Sequence, residues 1–132
     1  MTNEMFDYDD NILVPTSFLK ICSKISKITF GLSFYLFDYF STESGKKELF
    51  KTLSIKEIKK ELNVSESSIR RAINEIIDKK IFLVYEDNSD KEKTFDFFMV
   101  NEKNKQLFEK LKTGEVVVTT ERYYTEKKND IS

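Results

Sequence analysis

Ser54-Ile-Lys-Glu-Ile-Lys-Lys-Glu-Leu-Asn-Val-Ser-Glu-Ser-Ser-Ile-Arg-Arg-Ala-Ile-Asn-Glu-Ile-Ile-Asp-Lys-Lys80 holds two helix starts close together. Ser54 stands three positions before Glu57. A serine so placed accepts from the backbone of the first turn, while the glutamate reaches back to the serine's own amide. Behind this cap Ile55, Ile58 and Leu62 recur at helical spacing and leave Lys56, Lys59, Lys60 and Glu61 to water. Asn63 and Val64 interrupt the pattern, and Ser65 supplies a second cap. Ile69, Ala72, Ile73 and Ile76 then form the apolar face of a longer helix. At about 100° per residue, Ser67, Arg71, Asn74 and Asp78 point directly away from that face, with Ser68, Arg70 and Glu75 on its flanks.

Caps and periodicity alone would suit any two amphipathic helices. Here the connection is only a few residues long, Val64 can plug the corner between crossing helices, and Ser, Arg and Asn lie exposed near the second helix's start. The pattern predicts a helix-turn-helix whose second helix, about residues 66–79, enters the major groove of double-stranded DNA. Ser67, Arg71 and Asn74 are expected to reach base edges, Arg favouring guanine and Asn adenine. Lys59, Lys60, Ser68, Arg70, Lys79 and Lys91 are expected to hold phosphates.

The rest of the 132-residue chain suits one domain, with 12 Phe and 6 Tyr to fill an aromatic core. There is no histidine, and Cys22 is alone, so the usual metal ligand, the usual general base and an internal disulfide are all missing. No catalytic residue, metal or cofactor is expected, and no small-molecule ligand is evident. Cys22 lies on an apolar stripe and reads as a buried structural cysteine. No apolar run approaches the roughly 20 residues of a membrane span, and the N-terminus is acidic, so a cytoplasmic protein with no membrane partner is expected. The net charge is −1, but its distribution is uneven. Lys46 to Lys80 carries ten basic and six acidic residues, whereas Met1 to Asp10 has Glu4, Asp7, Asp9 and Asp10 with no base. A basic binding face on an acidic body fits this pattern, although a solvated lysine-rich surface would look similar.

In chain order, residues 1–11 read as an acidic flexible arm and Ile12-Leu13-Val14-Pro15 as an extended lead-in. Thr16 or Ser17 is expected to cap a helix carrying Phe18, Leu19, Cys22 and Ile25 on its apolar side. Ile28 to Phe40, apolar nearly all round, is read as a core helix that also meets a partner chain, with Gly31 as an internal cost. Ser41 to Lys47 is a loop, and Glu48 to Leu53 can form a short strand. Past Lys80, Ile81 to Glu86 and Thr94 to Val100 read as a hairpin around a charged loop, Asp87 to Lys93. Asn101 caps a last helix, Glu102 to Lys112, ended by Thr113-Gly114; Val116-Val117-Val118 is strand-like and Glu121 onward a polar tail. The expected fold is α+β and mostly helical: a winged helix-turn-helix over residues 12–112 with a two-stranded wing and a C-terminal helix, followed by a strand and tail over 113–132.

This order resembles the winged-helix domains of small plasmid and phage replication initiators. The resemblance rests on Ser65-Glu66-Ser67-Ser68-Ile69-Arg70-Arg71-Ala72-Ile73, which is similar to the phrase opening their recognition helix, and on Phe98-Met99-Val100-Asn101-Glu102, which is similar to the Tyr-Met-Ile-Asn-Pro phrase ending their wing. Asn63 stands where many relatives place glycine, and the wing tip has no glycine. Those initiators usually add a second functional domain, which is not expected within 132 residues and makes initiation by itself a weaker expectation than operator or centromere binding. Plasmid centromere-binding partition proteins and transcription regulators share the architecture, so the resemblance implies DNA binding in replication, partition or transcription control without choosing among them. A homodimer is expected from the all-round apolarity of Ile28 to Phe40 and the spare strand Val116-Val117-Val118. The alternative is a winged-helix module that binds protein, not DNA, through Phe34 to Phe40. No enzyme is expected: Glu57 and Glu61 are explained by capping and solvation, and no phosphate-cradling glycine loop is present.

Overall fold

The computed structural model describes residues 12–87, 93–119 and 124–127. Within them the chain is α+β, with five α-helices and small antiparallel sheets. The order is α1 (Thr16–Ile21), α2 (Lys27–Ser41), β1 (Lys51–Ser54), α3 (Ile55–Leu62), α4 (Glu66–Asp78), β2 (Phe82–Asp87), β3 (Thr94–Met99), α5 (Glu102–Thr113), β4 (Val116–Val118) and β5 (Tyr124–Glu126). Short 3₁₀ turns follow α1 and α2.

The first sheet has the order β1-β3-β2, all antiparallel. Lys51 pairs with Phe97 and Ser54 with Thr94, while Phe82 pairs with Met99 and Asp87 with Thr94. The Glu48 to Leu53 stretch thus supplies an edge strand, and β3 becomes the central one. Its residues Phe95 to Phe98 are all buried, which requires cover on both faces of the sheet. On one face Phe97 and Phe82 meet Phe37 of α2 and the core residues Leu36, Ile58, Ile69, Ile73 and Ile76. On the other, Phe98 packs edge-on against Phe108 of α5 and Tyr124 of β5.

β5 corrects the expectation of a polar tail after Glu121. Tyr124–Glu126 pairs antiparallel with Val116–Val118, so that strand is not spare but occupied by its own chain. Tyr124 also packs on Phe50 and Tyr85 and donates its hydroxyl to the buried Asp96 at 2.5 Å. Thr52 donates to the other carboxylate oxygen at 2.7 Å.

The start of α1 differs too. Neither Thr16 nor Ser17 caps it; Pro15 occupies the N-cap in extended geometry and its carbonyl accepts from Phe18 and Leu19. The helix gives way to a 3₁₀ turn at Cys22, which is half-buried, and Leu19 faces outward, 59% exposed. The long apolar stretch is a helix as expected, capped by Ser26, with Leu32, Leu36 and Phe37 in the core. Its outer face keeps Phe30 and Phe34 at 38% and 41% exposure, their rings stacked 5.7 Å apart. No helix among the described residues is long and apolar enough to cross a membrane.

Candidate nucleic-acid interface

α3 begins as the sequence requires. Ser54 Oγ accepts from the Glu57 amide, and Glu57 Oε1 accepts from the Ser54 amide. The helix ends at Asn63, which adopts left-handed geometry (φ 52°, ψ 50°) and donates its N–H to Lys59 O at 2.8 Å. Asparagine tolerates this region better than most residues. Val64, half-buried, packs against the core at the corner. Ser65 then caps α4 by accepting from the Ser68 amide.

Ile69, Ala72, Ile73 and Ile76 are buried, so the opposite face of α4 points to water. Ser67, Arg71, Asn74 and Asp78 are exposed on it, and Ser68, Arg70 and Glu75 are half-buried at its flanks. Arg71 extends beside Ser68 Oγ at 3.5 Å and has no carboxylate partner among the described residues. Lys59 and Lys60 are exposed at the end of α3, and Lys79 at the C-cap of α4. Lys91, the expected wing contact, lies outside the described residues.

Arg70 is placed differently from its neighbour. Its side chain reaches Glu66 at 3.5 Å and Glu86 of β2 at 4.0 Å. It thereby ties α4 to the hairpin at the rim of a shallow groove of about 120 Å³ floored by Ile73, Val84 and Phe95. A phosphate would have to compete with those two carboxylates for it.

Glu75 was not foreseen as a structural group. It accepts from the Ser26 amide at 3.1 Å and so braces α4 against the N-terminus of α2. Its carboxyl is held below the usual carboxylate range, first by the Thr29 hydroxyl and then by the Ser26 amide, against the opposing effect of burial. The only foretelling signal was its flank position, since its partners lie far back in the chain. On α2, burial and then Glu61 and Glu57 of α3 push the Tyr35 hydroxyl up, which marks that side of α3 as negative. The positive and negative residues of α3 therefore sit on different sides.

Among the described residues no group of three or more His, Cys, Asp or Glu is placed to hold a metal ion. The outer face of α4 thus presents the hydroxyl of Ser67, the guanidinium of Arg71, the amide of Asn74 and the carboxylate of Asp78 to solvent, groups that can donate to or accept from a ligand laid along the helix. No family model, no curated protein and no solved structure matches this chain.

Proposed function

We propose that residues 12–112 form a winged helix-turn-helix that binds double-stranded DNA sequence-specifically, with α4 as the recognition helix. The observation that carries this reading is the outer face of α4, where Ser67, Arg71 and Asn74 stand exposed and Arg71 has no carboxylate partner among the described residues. The succession helix, strand, helix, helix and hairpin supports it, as does the packing of the hairpin beside α4, where Arg70 reaches Glu86. Arg71 would take guanine and Asn74 adenine; Lys59, Lys60 and Lys79 would hold phosphates. The exposed Phe30 and Phe34 would bring two copies together, as binding to paired half-sites requires. Replication, partition and transcription control all fit such a protein.

Selection from a random duplex pool, followed by titration of the winning site at several salt concentrations, tests the proposal. Affinity should fall steeply with salt and exceed that for a scrambled duplex by about a thousandfold or more. Inverted half-sites would point to an operator, and tandem repeats to an origin or centromere. Failure to enrich any sequence, with no salt-dependent binding to plain duplex, would favour the second reading: a protein-binding module using the exposed aromatic pair on α2.

A further inference from the structure

The end of α2, the 3₁₀ turn Gly45–Lys47 and the start of α5 enclose an open groove of about 410 Å³. No residue of α3 or α4 lines it. β3 runs from Thr94, opposite Asp87 at the hairpin tip, to Met99 at the far end of the sheet, and the groove abuts Met99. Half-buried Phe40 and Met99 line it, while Leu13 and Leu49 remain exposed at 67% and 38%. Leu13 is fixed there by its amide, which donates to Ser41 Oγ at 2.8 Å.

Three lysines share this groove. Lys46, Lys47 and Lys103 line it against one carboxylate, Glu48, and none of the three is in an ion pair among the described residues. Lys103 stands in the first turn of α5, where aligned backbone amides add to the positive field. An apolar lining with a cationic rim calls for a ligand that carries both complements. A phosphate backbone uses only the cations, and a basic peptide meets like charge.

We propose that this groove docks an acidic peptide segment of a partner protein, with an apolar side chain against Leu49 and Met99 and carboxylates against Lys46, Lys47 and Lys103. The inference uses no residue of α3 or α4 and stands apart from the DNA reading.

The probe is a fluorescein-labelled decapeptide alternating Asp with Leu and Phe, titrated into the full chain and followed by anisotropy. Saturable binding should appear at low salt and weaken about tenfold or more at high salt, as expected for an electrostatically assisted contact. Matched peptides with Lys for Asp, or with Ala for Leu and Phe, should bind at least about fivefold more weakly, because each lacks one complement. Lys103→Glu and Leu49→Ala change exposed side chains and should each weaken the probe about fivefold or more, with the circular dichroism spectrum unchanged. Absence of binding, or equal binding of the three peptides, would overturn the proposal. So would variants that bind the probe normally but lose duplex DNA, since the lysines would then be phosphate contacts. Neutralising Asp7, Asp9 and Asp10 to Asn in the full chain should leave the probe's affinity unchanged; a tenfold gain would assign the groove to this chain's own acidic residues and overturn it as well.

Discussion

Gly31 and Gly45 look alike in the sequence, yet the structure places opposite demands on them. A methyl group on Gly31, inside α2, would meet Leu62 Cδ2 at an ordinary 3.5 Å, so Gly31→Ala should raise stability by about 0.5–1 kcal/mol. One on Gly45 would lie 1.8 Å from the Tyr39 carbonyl oxygen, so Gly45→Ala should lower the urea midpoint while Gly31→Ala raises it. Arg70 and Arg71 diverge just as far. On the selected site Arg71→Ala should cost ~1–3 kcal/mol and flatten the preference at one base position. Arg70 shares its charge with Glu66 and Glu86, so Arg70→Ala should leave the salt slope of DNA binding nearly unchanged. Glu86→Gln releases one of those partners and should tighten binding to all duplexes alike. The measurement is a salt titration of each variant on the selected and a scrambled duplex; an Arg71→Ala protein that kept its preference would remove α4 as the reader.

At the scale of elements, local signals were legible and distant ones were not. The starts of α3, α4 and α5 follow from Ser54, Ser65 and Asn101 because each cap closes within a few residues. Asn63 marked the turn for a similar reason, its tolerance of left-handed geometry. Pro15 misled because its carbonyl begins α1 without a side-chain cap, which made Thr16 and Ser17 look necessary. β5 was invisible because its anchor, the Tyr124 bond to Asp96, spans 28 residues. Tyr124→Phe removes a hydroxyl donor from a buried carboxylate and should cost about 1–3 kcal/mol in urea unfolding, with less effect if the hairpin contributes only its backbone pairing. Glu75 joins α4 to α2 and adds a pH dependence. Its folded value is depressed, so the stabilisation is present above the unfolded value of 4.5 and is lost as pH falls through the lower folded value. Glu75→Gln should therefore flatten the loss of stability that urea titration of the parent protein shows as pH falls below 4.5.

Across the whole molecule, the succession of elements along the chain was readable, whereas the pairing of β1 with β3 and the second aromatic layer, formed by Phe50, Phe98, Phe108 and Tyr124, were not. Periodicity reports that a residue is buried but not which element covers it. The same limit affects the expectation of a dimer: pairing of β4 with β5 withdraws one of its two supports, leaving Phe30 and Phe34 on α2. Light scattering at tens of micromolar should return twice the chain mass, and Phe34→Glu should return one; a monomer for the parent protein would end the dimer proposal.

β3 is buried on both faces, but its two covers come from opposite directions along the chain: α2, α3 and α4 precede it, whereas α5 and β5 follow. During synthesis the first layer can therefore assemble while Phe50 and Phe98 still face water. Such an intermediate presents Thr94-Phe-Asp-Phe-Phe-Met99, an aromatic strand of high β-propensity, with its outer surface bare. A chain held after β3 has formed but before α5 docks is therefore exposed to aggregation, so the rate at which α5 and β5 close over Phe98 bears directly on the yield of folded protein.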